Sequence, residues 1–204
     1  IPSVYVFRRT GTQWVQEQTI SVCEPSGGSG TSCSFGMSIA VQTDKMMIGN
    51  PSLNVNGVTN AGGVYVFERG NGTWVQMQKL TLAVPRDSQV FGDDIGLDGD
   101  NLVIGAPATN AGSGSAYLYV RSGDGWMQSQ NFQKTTAGSI DLFGRSVGID
   151  GRHVVISRAR DNLMAIDTIG ATYVYSRPAP QTATVSGRVL TPFGGGLRNA
   201  IVAV

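Results

Sequence analysis

Short apolar runs separated by Gly, Asn, Asp and Ser recur along this chain, and no stretch sustains the spacing of an amphipathic helix. The runs come in a fixed order. A Phe-Gly pair stands at Phe35-Gly36, Phe91-Gly92 and Phe143-Gly144, and each is followed by an apolar segment: MMIGNP over 46–51, LVIGAP over 102–107 and VVISRA over 154–159. From the Phe to the central Ile the distance is 13 residues in every copy. A Tyr-centred run comes next, VYVF at 64–67, AYLY at 116–119 and TYVY at 172–175, with an earlier copy at 4–7. Trp14, Trp74 and Trp126 each follow their Tyr by nine residues. Self-similarity at a period of 52 to 60 residues predicts a repeat architecture.

Four strands per unit, joined by tight turns, predict an all-β fold: a partial β-propeller of four-stranded antiparallel blades, two full and two incomplete. Residues 35–80 and 91–132 supply the full blades. Residues 4–20 hold only the third and fourth strands of a unit, and 143–177 only the first three. Joined, the two partial ends would duplicate the third strand, so closure within this chain is not expected. Ile1 has no charged and apolar leader before the first strand, and the chain reads as an internal fragment of a longer protein. Residues 1–177 are thus the propeller fragment, 178–182 a Pro-rich linker, and 183–204 a truncated β segment that begins a second, sandwich-like domain.

Composition narrows the function. Gly accounts for 28 of 204 residues, and charged residues for 14% against a usual ~25%. A net charge of +1 without a basic or acidic block lacks the footprint of a nucleic-acid binder. No apolar run reaches the roughly 18 residues that a membrane-spanning segment needs. Cys23 and Cys33 bracket a Gly- and Ser-rich loop that a disulfide would close, stabilising by roughly 2 to 3 kcal/mol in an oxidising compartment. Two free thiols are the alternative, whereas zinc wants four N or S ligands and the chain has one His. Asn71-Gly72-Thr73 matches a glycosylation sequon within a predicted hairpin turn, and no function is assigned to it.

Spacing also separates constant from variable connections. The first-to-second and third-to-fourth strand links never change length, whereas Ile to Tyr spans 17, 13 and 17 residues and Trp to the next Phe spans 21, 17 and 17. Alternating connections of a meander put the variable loops at one end of the sheets, which is where repeat proteins often bind. Candidate surfaces are 21–34, 81–90 and 133–142 together with 50–62, 106–115 and 157–170. Within the last, Arg158, Arg160 and Asp161 are the candidate binding residues. Neutral drift of unconstrained loops is the competing explanation.

The units FGMSIAVQTDKMMIGNP, FGDDIGLDGDNLVIGAP and FGRSVGIDGRHVVISRA, followed by VYVFERGNGTWVQMQKL and AYLYVRSGDGWMQSQNF, resemble FG-GAP repeats, the blades of integrin α-subunit propellers, in their bacterial extracellular form. The likeness covers residues 4–177. The tail, VSGRVLTPFGGGLRNAIVAV, resembles the opening of a carboxypeptidase-regulatory-like β-sandwich. This resemblance implies a secreted or surface-exposed adhesion module without a particular ligand. Integrin-type blades often carry calcium in the turn between strands one and two. Here only Asp98 and Asp100 share such a turn, and Asp-Gly is also what a tight hairpin requires, so the calcium role is not carried over and no cofactor is expected.

No enzyme is expected. Asp93 and Asp94 are adjacent in a predicted strand and point to opposite faces, and His153 has no evident nucleophile nearby. The repeated Phe35, Phe91 and Phe143 are expected between neighbouring sheets, and the three Trp are expected to cover apolar area at blade edges. The sequence therefore favours a non-enzymatic extracellular recognition or adhesion module. Its partners would be an extracellular protein or glycan and the neighbouring blades and domains of the same longer chain. A structural spacer without a ligand and a non-catalytic part of a carbohydrate-active enzyme are the alternatives.

Overall fold

A computed structural model describes residues 1–22, 24, 33–133, 141–161 and 169–176, the side chains at 159–161 and 169 excepted. Thirteen strands and no helix occur among these residues. The first sheet has two strands, β1 (Val4–Thr10) and β2 (Gln13–Ile20). The second is a four-stranded meander of β3 (Ile39–Gln42), β4 (Lys45–Asn50), β5 (Gly63–Gly70) and β6 (Thr73–Leu80). The third repeats it with β7 (Ile95–Asp98), β8 (Asn101–Ala106), β9 (Ser115–Ser122) and β10 (Gly125–Gln133). The last has three strands, β11 (Val147–Asp150), β12 (His153–Asp161) and β13 (Ile169–Ser176). These are the two full and two incomplete blades of a partial propeller. The linker and second domain read from residues 178–204 lie outside the described residues.

The constant spacings are hairpin registers. Ile39 pairs with Ile48, Ile95 with Ile104 and Val147 with Ile156, each pair closed by a two-residue turn. Just before each hairpin the Phe-Gly glycine donates its N–H to strand two: Gly36 to Gly49 O, Gly92 to Gly105 O and Gly144 to Ser157 O, all at 2.9–3.0 Å. Those glycines have φ of 89°, 92° and 90°, a region that side chains with a Cβ avoid. Asn71 and Gly72, both at positive φ, form the type of turn that the twist of a tight hairpin selects.

Alternate side chains of each strand face opposite sides of the sheet, and on β4 and β8 both sides are covered. From β4, Met46 and Ile48 join a cluster with Val4 and Ile20 of the first sheet, whereas Met47 joins Ile95, Leu102 and Tyr117 of the third. Val103 of β8 likewise turns toward Phe143, Val154 and Ile156 of the last sheet. Double coverage is why MMIG and LVIG are unbroken apolar runs. The clusters therefore lie between successive sheets, as blades pack. Phe35, Phe91 and Phe143 are buried there, edge-on to Tyr65, Tyr117 and Tyr173 at 5.4, 5.7 and 5.6 Å. Trp74 and Trp126 are buried as expected, but Trp14 is 67% exposed, because no described sheet precedes its own.

Candidate functional site

Among the described residues, the long connections at 51–62, 81–94 and 107–114 meet at one end of the sheets. Ser88, Val90 and Phe91 donate their N–H groups to the carbonyls of Thr59, Asn60 and Ala61 at 2.8–3.1 Å, and the Asp87 carboxylate accepts the Thr59 N–H at 3.0 Å. One sheet further on, Leu142 and Phe143 donate to Gly112 and Ser113 at 2.9 and 3.2 Å. Loops of neighbouring sheets are thus joined backbone to backbone, and the exposed Arg86, Asp87 and Ser88 sit beside the polar loop of Asn56 and Asn60. At the opposite end the short turns hold each other. Gln42 Oε1 accepts the Gly99 N–H and Asp98 Oδ2 accepts the Gly151 N–H, both at 2.6 Å.

The proposed triad of binding residues does not form an exposed loop. Strands β4 and β8 stop at Asn50 and Ala106, before Pro51 and Pro107, which have no N–H to give to a ladder. Ala159 stands in the place of those prolines, and β12 runs on through Arg158, Arg160 and Asp161. Arg158 occupies the register of Asn50 and Ala106. Its side chain is fully buried, 3.4 Å from the Asp141 carboxylate and 5.9 Å from the centre of the Tyr173 ring. The loop placement of Arg158 is corrected accordingly: it sits beneath the long-loop end and ties the approach to Phe143 onto β12. The side chains of Arg160 and Asp161 lie outside the described residues, as does Cys23. Cys33 is half-buried against the core cluster of Val4 and Ile20, with Asn50 Nδ2 3.9 Å from its sulfur.

The turn of Asp98 and Asp100 does not suit calcium. Asp98 is committed to the Gly151 N–H, and Asp100 Oδ1 lies 2.9 Å from Lys45 Nζ, whose charge and hydrogen bond hold that carboxyl below the usual carboxylate range. A lysine ammonium within a ligand set of at most two carboxylates opposes a divalent cation. Among the described residues no group of three or more His, Cys, Asp and Glu side chains converges. Asp93 pairs with Arg145, and Asp94 accepts the N–H groups of Ile95 and Val147 at 3.0 and 2.7 Å.

The sequence reading missed one device. Gln18 Nε2 donates to Trp74 O at 3.0 Å while its Oε1 accepts the Trp74 N–H at 2.8 Å. Gln78 brackets Trp126 in the same way, at 3.2 and 2.8 Å. A register shift precedes each glutamine, between the pairs Val6–Gln18 and Phe7–Gln16 and again between Val66–Gln78 and Phe67–Gln76. Bulges of this sort re-aim a side chain, here toward the next sheet. Gln130 follows the same shift on β10, is exposed, and has no side-chain hydrogen bond among the described residues. The signal was present as Trp-x-Gln-x-Gln in all three copies, at 14–18, 74–78 and 126–130.

Blade-like sheets joined through matching loops, turns and outer strands define an all-β repeat protein. Residues 74–119 match the FG-GAP repeat family. That match begins on the outer strand of one sheet and ends on the third strand of the next, so the sequence repeat is offset from the structural blade. No curated protein matches this chain.

Proposed function

We propose that this chain is a non-enzymatic recognition or adhesion module of a larger extracellular protein, with the long-loop end of its stacked blades as the contact surface. FG-GAP repeats usually occur in extracellular, adhesion-type proteins, and residues 74–119 match that family. The observation that carries the reading is the cross-sheet bonding of Thr59, Asn60 and Ala61 to Ser88, Val90 and Phe91, which fixes loops of two blades into one surface. A rigid surface loses little entropy on binding. The ligand class is an extracellular protein or glycan. Arg158 acts on this surface from beneath, and Arg160 and Asp161 remain candidate contacts. Completion of the blades into a propeller, a Cys23–Cys33 bridge, and a sandwich-like domain starting near residue 183 belong to the same proposal.

The test is an array of extracellular-matrix proteins and glycans probed with the whole chain and two variants. One replaces residues 54–60 and 86–88 with Gly and Ser, and the other replaces Asn71 and Thr73 with Ser at the opposite end. Binding that disappears only with the first variant supports the proposal. A ligand held equally well by both variants, or lost equally with both, refutes the long-loop surface.

A structural spacer is the second reading, and one observation favours it. Glu17, Glu68, Asp93 and Asp100 all lie in ion pairs with Arg69, Arg121, Arg145 and Lys45 of the adjacent sheet, so much of the charge is spent on holding sheets together. Absence of binding across the array would favour this reading.

A further inference from the structure

Between β1 and the β3–β4 hairpin of the next sheet runs a groove of about 380 Å³, lined by Val6, Phe7, Ile39, Val41, Met46 and Trp74. Two observations say what it lacks. First, among the described residues β1 is paired by β2 alone, and the edge that β4, β8 and β12 occupy on its counterparts β5, β9 and β13 is bare. Second, apolar residues on this groove are exposed while their counterparts are covered: Ile39 is 48% exposed against 7% for Ile95, and Tyr5 is 57% exposed against 0% for Tyr65. Val15, Val75 and Met127 show the contrast, since they are exposed in every copy.

The two complete sheets specify the missing occupant. Ile95 and Leu97 are covered by the β3–β4 hairpin of the preceding sheet, through Ala40 and Met47. Tyr65, Tyr117 and Tyr173 each meet the Phe of their own Phe-Gly pair, a partner that Tyr5 does not have among the described residues. Gln42 and Asp98 each accept a turn N–H from the next sheet, and the matching donor beside the groove is Thr43. Gly49 and Gly105 leave room for the carbonyls of Gly92 and Gly144, onto which a Cβ at either position would fall.

We infer that this groove is a β-addition site for a Phe-Gly hairpin supplied from outside these 204 residues. Its Phe meets Tyr5, its second strand pairs antiparallel with β1, an acceptor side chain before its turn takes the Thr43 N–H, and a glycine thirteen residues after its Phe-Gly glycine faces Gly36. Main-chain pairing gives such sites affinity, and alternate side chains give specificity. A second copy of this chain does not qualify. Its β3–β4 and β7–β8 hairpins are already built into four-stranded sheets, and its β11–β12 hairpin carries Ser157 where the glycine is needed. The inference rests on inter-sheet geometry and is independent of the recognition role.

A synthetic peptide with the sequence of residues 91–107, FGDDIGLDGDNLVIGAP, is the probe, added to the whole chain while amide hydrogen exchange is followed. Saturable slowing across Val4–Thr10 is expected. The same peptide with Val at the position of Gly105 should bind about tenfold more weakly or worse, as overpacking at a close backbone contact implies. Val41→Asp in the chain should have a similar effect. If the peptide leaves β1 exchange unchanged, or if the Val-bearing and scrambled peptides protect it equally, the site does not exist. The peptide variants decide the question even if the Val41→Asp chain fails to fold.

Discussion

The side chain of Gln78 brackets the peptide group of Trp126, donating to its carbonyl at 3.2 Å and accepting its N–H at 2.8 Å. One side chain thereby joins the outer strands of two sheets, and Gln18 does the same to Trp74. A net hydrogen bond contributes about 0.5–1.5 kcal/mol, and an orphaned partner costs more. Gln78→Ala should therefore destabilise by roughly 1–3 kcal/mol in urea unfolding, whereas Gln130→Ala, at an exposed copy, should cost within about 0.5 kcal/mol. Equal effects would mean that the clamp contributes nothing.

Glycine at strand two sets how closely the sheets approach. A Cβ at Gly105 would fall on the Gly144 carbonyl oxygen, whereas one at Gly148 would meet nothing within 4 Å. Gly105→Ala is expected to lower stability by about 1–3 kcal/mol through overpacking. Gly148→Ala, at a permissive φ, should be neutral or stabilise by up to about 1 kcal/mol. Thermal unfolding of the two variants side by side checks the contrast.

The blade pattern was legible because it rests on local chemistry: two-residue turns, a positive-φ glycine and alternation on doubly buried strands all leave fixed spacings. Arg158 was misread because a charged residue beyond the apolar run looks like a loop. Only the replacement of the strand-ending proline by Ala159 shows that β12 continues. The Gln18 and Gln78 clamps were hidden for another reason. Their direction depends on a bulge, and a one-residue shift of register is invisible in a list of polar positions.

Arg158 and Asp141 are both fully buried at 3.4 Å. Breaking a buried ion pair is costly, so Arg158→Ala should lower stability by about 3–5 kcal/mol, and a double-mutant cycle with Asp141→Asn should show the two residues coupled rather than additive. Denaturant unfolding of the single and double variants measures this. Loss of ligand binding in Arg158→Ala would therefore report folding rather than contact.

Burial pushes the Tyr119 phenol up to about 12 and raises Tyr65 and Tyr117 as well, the nearby Glu24 adding to the rise at Tyr65. A group whose folded pKa exceeds its unfolded value near 10 leaves stability intact below about pH 10 and erodes it as pH rises toward 12, by up to about 1.4 kcal/mol per pH unit per group. Phenolate absorbance and loss of near-ultraviolet circular dichroism should rise together in that window. Full ionisation of all six tyrosines near pH 10 with the fold intact would contradict the packing of these rings.

Stacking of successive sheets through one repeated interface is the central claim, and amide hydrogen exchange at three equivalent residues tests it most directly. The N–H groups of Trp74 and Trp126 are accepted by Gln18 Oε1 and Gln78 Oε1 of the preceding sheet, and the Trp14 N–H has no such side-chain acceptor among the described residues. Trp74 and Trp126 should exchange far more slowly than Trp14, at rates approaching those of global unfolding. Comparable exchange at all three positions would show that the sheets are not joined in this way.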